Sequence, residues 1–98
     1  MKNIIFSRTS DYDIKDAVDY YNLEQSGLGD RFFNKLYLKI EKIKISPEVY
    51  AIRYEDVRFA KIDHFPFIIH FINQPDAIVI IGILHTSRNP QPWKERKQ

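Results

Sequence analysis

The chain has no cysteine. That excludes disulfides and thiolate chemistry, and it suits a reducing compartment such as the cytoplasm. Glycine is nearly as scarce, with three in the whole chain. Two of them stand close together in Gly27-Leu28-Gly29, ahead of a helical pattern. A phosphate-binding fingerprint needs a third glycine and a preceding strand, so this segment is read as a loop. Histidine also numbers three. In an extended segment His64 and His70 are roughly 20 Å apart and cannot share an ion. No HExxH spacing and no GxSxG elbow occurs, so no metal and no cofactor is expected. Long hydrophobic runs are missing too. The longest, residues 77–84, is too short to span a bilayer, and Ile4-Ile5-Phe6 is too short for a signal peptide. The expectation is a soluble, cytoplasmic protein with no membrane partner.

At 98 residues, 44% hydrophobic and 29% charged, the chain supports a single domain over 1–98 with one modest core. Its net charge of +2 is too small to imply a polyanion partner. The distribution says more. Residues 11–24 hold five acidic side chains against one basic, and residues 31–44 hold five basic against one acidic. The molecule is bipolar.

Residues 4–6 make a short first strand. Ser10 offers a helix cap with Asp13 three residues on. Ile14, Ala17, Val18 and Tyr21 then recur at helical spacing. A second helical pattern runs through Phe32, Phe33, Leu36, Ile40 and Ile43 and ends before Pro47. The two helices read as an antiparallel hairpin. Residues 48–55 read as irregular. Strands follow at 56–62 and 65–72, and a turn at 73–76 leads to the run at 77–84. That run is apolar at odd and even positions alike, so it belongs inside a sheet. The predicted fold is α+β: an N-terminal strand, an antiparallel helical hairpin, then a three-stranded antiparallel meander, in the order β-α-α-β-β-β.

At the end of that strand the chain changes character. His85 and Arg88 emerge beside a proline-containing segment with the only tryptophan, Trp93. With Arg58, Lys61 and Arg53 they form the set a metal-free ribonuclease would use. His85 would transfer protons near neutral pH, and guanidinium groups would stabilise charged phosphate oxygens. The same residues suit plain binding of an acidic surface, and their spacing does not separate the two. The basic side of the second helix has two readings as well, a solvated face or a docking surface for an acidic segment.

Six segments together resemble the RelE/ParE superfamily of bacterial toxins, on its ParE-like side. They are Ala17-Val18-Asp19-Tyr20-Tyr21, Gly27-Leu28-Gly29-Asp30-Arg31-Phe32, Ser46-Pro47-Glu48, Asp56-Val57-Arg58, Phe65-Pro66-Phe67-Ile68-Ile69, and Leu84-His85-Thr86-Ser87-Arg88-Asn89-Pro90 with Trp93. The resemblance implies a helical hairpin on a small antiparallel sheet. It implies a growth-inhibiting toxin of a type II toxin–antitoxin module, neutralised by a cognate antitoxin. The ParE-like side implies poisoning of DNA gyrase by protein contact, with Arg88, Trp93, Lys94, Arg96 and Lys97 facing the target. The RelE-like side implies ribosome-dependent mRNA cleavage, with His85, Arg88, Arg58 and Lys61 catalytic only in that case. No tyrosine follows Tyr54, so the C-terminal catalytic tyrosine of some RelE members has no counterpart. A third reading is an inactive member that only binds its antitoxin. The antitoxin is expected along the second helix at Lys35, Lys39 and Lys42, and a homodimer or a toxin–antitoxin hetero-oligomer is open.

Overall fold

The computed structural model describes residues 2–87. β1 is Asn3–Phe6, α1 Arg8–Glu24 and α2 Leu28–Ile45. A short 3-10 turn, Pro47–Val49, precedes β2 (Ile52–Tyr54), β3 (Val57–Lys61), β4 (Phe67–Asn73) and β5 (Ala77–His85). The strands form one sheet in the order β1-β5-β4-β3-β2. β1 runs parallel to β5, and every other pair is antiparallel.

The apolar run at 77–84 does lie inside the sheet, between β1 and β4. Ile78, Ile80 and Ile83 enter the core beneath the helices. Ala77, Ile81 and Leu84 are buried as well but lie outside that cluster. Pairing slips between His70 and Phe71 of β4, which leaves Ile81 unpaired in a bulge.

The sheet has one strand more than the sequence suggested. β2 falls within the stretch read as irregular, and three residues are too few to show an alternating pattern. It closes onto β3 through Glu55 and Asp56, with Glu55 in the left-handed region at φ 49.

α1 also starts earlier than expected. Its cap is Ser7, whose Oγ accepts from the Ser10 amide at 3.1 Å. Ser10 is buried, and its hydroxyl donates to the Ser7 carbonyl at 2.7 Å. The early start serves β5. Where β1 stops, the first turns of α1 take over its edge. The Ser7 amide donates to the Ile80 carbonyl at 2.9 Å, and Thr9 Oγ1 donates to the Ile81 carbonyl at 3.2 Å. The Ile83 amide donates to Asp13 Oδ2 at 3.0 Å. Asp13 thus binds helix to sheet and closes no capping box.

The hairpin turns at Gly27, whose φ of 87 suits a residue without Cβ. Phe32, Leu36, Ile40 and Ile43 of α2 point at the sheet, with Ala17 from α1. Phe33 is exposed, because it sits about 100° around the helix from Phe32. Tyr21, Phe32, Phe65 and Phe67 pack mainly edge-on, with centroids 5.0 to 6.1 Å apart. They fasten the hairpin to the end of the sheet where β3 joins β4.

Candidate functional site

Two clefts open at that end of the sheet, one on each side of a ridge made by Tyr21 and Pro66. The first lies between α1 and the end of β5 and encloses about 530 Å³. Asp13, Asp16, Tyr20, Phe67 and His85 line it. Its character is acidic and aromatic. The second, also about 530 Å³, lies between α2 and the β3–β4 loop. Leu28, Arg31, Lys35, His64 and Phe65 line it, so its character is basic. Burial pushes the Tyr21 phenol pKa up, with Tyr20 adding a little, so the ridge stays neutral.

His85 ends β5 with its ring 5.3 Å from that of Phe67. Its Nδ1 accepts the Ser87 amide at 3.1 Å and lies 2.8 Å from the Ser87 hydroxyl. An amide can only donate, so Nδ1 is the acceptor and the neutral ring carries its proton on Nε2. The Ser87–His85 pairing fixes a tautomer within a turn.

The other candidate catalytic residues lie elsewhere. Residues paired directly across a sheet share a face. Lys61 pairs with Ile68, and Ile68 with Leu84, so Lys61 lies on the face away from the helices. His85 pairs with Phe67, which belongs to the helix-side core. Arg58 shares the helix side but pairs with Phe71, four residues along β4 from Phe67. That places it about 13 Å along the strand and two strands across from His85. Both cations are also engaged. Arg58 Nη1 donates to the Tyr50 carbonyl at 2.7 Å, and Lys61 Nζ to the Ile62 and Phe65 carbonyls at 3.3 Å. Arg53 is exposed on the edge strand β2. The structure does not bring His85, Arg58 and Lys61 together. Arg88, Trp93, Lys94, Arg96 and Lys97 lie outside the described residues.

The three lysines of α2 occupy different settings. Lys35 lines the basic cleft and Lys42 is exposed. Lys39 pairs with Asp63 at 3.5 Å. It holds the Asp63 carboxyl below the usual carboxylate range, against a smaller opposing effect of burial. Sequence reasoning missed the wall of the acidic cleft. The adjacent Tyr20-Tyr21 beside Asp13 and Asp16 was the available signal, since helical spacing puts 13, 16 and 20 on one side.

Among the described residues no group of three His, Cys, Asp or Glu is placed to hold a metal ion. No helix there is long and apolar enough to cross a membrane.

A helical hairpin on one face of a five-stranded sheet, with two oppositely charged clefts where hairpin and sheet end meet, defines a small two-layer α+β domain. Residues 4–90 match the family described as "ParE toxin of type II toxin-antitoxin system, parDE". The chain belongs to that family, and it is the toxin component of a type II toxin–antitoxin module whose partner is an antitoxin. Twelve chains of solved structure match it. One is from the "Chromosomal ParDE TA system from P. aeruginosa", with a TM-score of 0.77 at 16% identity, covering 89% of this chain and 98% of that one. At that identity the likeness shows the fold alone. No curated protein matches.

Proposed function

We propose that this toxin acts in the cytoplasm by binding DNA gyrase and poisoning it, without catalysis of its own. One observation favours this over mRNA cleavage. A general acid–base and its phosphate-stabilising cations must meet around one scissile bond, within hydrogen-bond reach. His85, Arg58 and Lys61 are spread over two faces of the sheet, and each of the two cations is hydrogen-bonded to the chain's own carbonyls. In this reading His85 and Ser87 shape the turn that leads to Arg88. Arg88, Trp93, Lys94, Arg96 and Lys97 then form the target-facing segment. Purified toxin added to gyrase and relaxed plasmid tests the reading. Loss of supercoiling supports it, and full supercoiling at saturating toxin contradicts it.

The antitoxin docks along α2 into the basic cleft, with an acidic segment over Lys35 and Lys42 and near Lys39. Lys39 contributes least, because Asp63 already answers its charge. Reversing Lys35 and Lys42 to glutamate should weaken the complex about tenfold or more at low salt, and less at high salt. Lys39→Glu alone should change it less than Lys35→Glu. Calorimetric titration checks both points, and an affinity unchanged by the Lys35 and Lys42 reversals removes this placement.

A further inference from the structure

The sheet face away from the helices is apolar, and it is buried. In register across it lie Val57, Ile72, Val79 and Ile5, one on each of four strands. The next row is Phe59, His70 and Gly82, and the one after it Lys61, Ile68 and Leu84. An antiparallel sheet with one face in water alternates apolar with polar residues, and these strands do not. Val57, His70 and Leu84 are 0%, 2% and 5% exposed. Side chains on an open sheet face keep far more of their surface than that, so another layer lies on them. Both helices pack on the opposite face, and so does the 3-10 turn, where Tyr50 meets Phe71. Among the described residues no helix lies over these rows.

The exit from β5 says what covers this face. Thr86 donates its amide to the Pro66 carbonyl at 2.9 Å, and residues 86 and 87 form a turn. The strand therefore ends in a change of direction at a fixed point. Residues 88–98 continue from there and lie outside the described residues. Their sequence includes Asn89-Pro90-Gln91-Pro92. Proline fixes its own φ and keeps the residue before it out of the helical region, so this stretch favours an extended spacer. Trp93 is the sixth residue after Ser87. At the rise of an extended proline-rich chain that is about 19 Å. The row of Phe59, His70 and Gly82 begins about 17 Å from Ser87, five residues back along β5 and one strand across. This is the aromatic row. The rings of Phe59 and His70 are 4.1 Å apart, and that of Tyr54 is 6.0 Å from Phe59. The row ends at Gly82, where the missing side chain leaves room for a large ring. Charge agrees with length. Glu55 and Asp56 form the β2–β3 turn beyond the row, and Lys94, Arg96 and Lys97 follow Trp93.

We infer that residues 88–98 fold back over this face and seat the Trp93 indole on Phe59, His70 and Gly82. Lys94, Arg96 and Lys97 then reach the acidic β2–β3 turn. The docking does not depend on gyrase being the target. On the gyrase reading it adds one consequence. A cover one chain thick holds one face of the indole on the sheet and offers the other, so the target meets a segment that is already ordered and binding costs less entropy.

Trp93 is the only tryptophan, so its fluorescence reports this contact directly. In the full native chain its emission should lie to the blue of that of the urea-unfolded chain, and acrylamide should quench it several-fold less. Phe59→Ala removes the central ring of the seat. It should weaken docking about tenfold and move both readings toward the unfolded values, while circular dichroism stays native. Leu38→Lys, at an exposed position on α2, is the control and should change neither. Nuclear Overhauser contacts from the indole to the Phe59 and His70 rings should appear in the unaltered chain, which decides the point even if Phe59→Ala fails to fold. Dilution should leave the protection unchanged. Emission and quenching equal to those of the unfolded chain overturn the inference, and so does protection that a folded Phe59→Ala leaves intact. Protection lost on dilution assigns the cover to a second copy and overturns it as well. None of these readings involves gyrase, so the two proposals fail separately.

Discussion

Gly29→Ala should lower the melting temperature by about 10 to 20 °C, a large effect for adding one methyl group. A Cβ at Gly29 would lie 2.2 Å from the Val18 carbonyl oxygen and 2.6 Å from Asn22 Cγ. The first of these is backbone on the facing helix, so no rotamer change relieves it. The Gly29 amide also donates to Asn22 Oδ1 at 2.8 Å, and separating the helices would break that bond. The cost is the upper range of an overpacked core, about 3 kcal/mol. Gly27→Ala is the control. Its φ of 87 strains any side chain, but nothing stands within 4 Å of the new methyl. About 1 to 2 kcal/mol is expected there. Thermal unfolding of the two variants checks the order, and a smaller loss at Gly29 than at Gly27 contradicts the account of the hairpin. Function follows from the same spacing, because Tyr20 and Tyr21 on α1 and Leu28 and Arg31 on α2 wall the two clefts.

If the proposed gyrase reading holds, Trp93→Ala should weaken inhibition by about 30- to 1,000-fold, the scale of an aromatic hot spot at an interface. His85→Ala should leave it within about threefold, since on the gyrase reading His85 touches no reacting atom. A nuclease would reverse that order. Removing a general acid–base costs about 100- to 10,000-fold in rate, whereas a tryptophan that only helps docking costs far less. Supercoiling assays and ribosome-dependent mRNA-cleavage assays on both variants, with unfolding curves to show that each remains folded, separate the two mechanisms. Cleavage of mRNA that is strongly lost at His85 and little changed at Trp93 would mark the protein as an enzyme.

Much of the fold was legible because its long elements have strong periods. The helical hairpin followed from Ile14, Ala17, Val18 and Tyr21 and from Phe32, Leu36, Ile40 and Ile43. β5 followed from a run with no polar residue on either face. The misses share a cause, which is that they depend on partners distant in sequence. Ser7 became the cap in place of Ser10 because the edge of β5 beyond Phe6 needed donors, and that need is visible only in three dimensions. Asp13 looked like half of a capping box and is instead the acceptor for the Ile83 amide, 70 residues away. β2 is three residues long and is held by its neighbour β3. The dispersal of His85, Arg58 and Lys61 is a matter of register. In a pleated sheet one residue of offset changes the face, and no sequence pattern fixes the register across two strand pairs. The family resemblance, in contrast, lay in short segments spread over the chain, and the match over residues 4–90 bears it out.

The most direct test of the central claim is induction of the toxin in growing cells, with DNA damage and mRNA integrity followed in the same culture. The account expects growth arrest, broken or relaxed DNA and an SOS response, with intact mRNA. Rapid mRNA cleavage with undamaged, normally supercoiled DNA would contradict it and would make His85 and Arg88 the residues to pursue as catalysts.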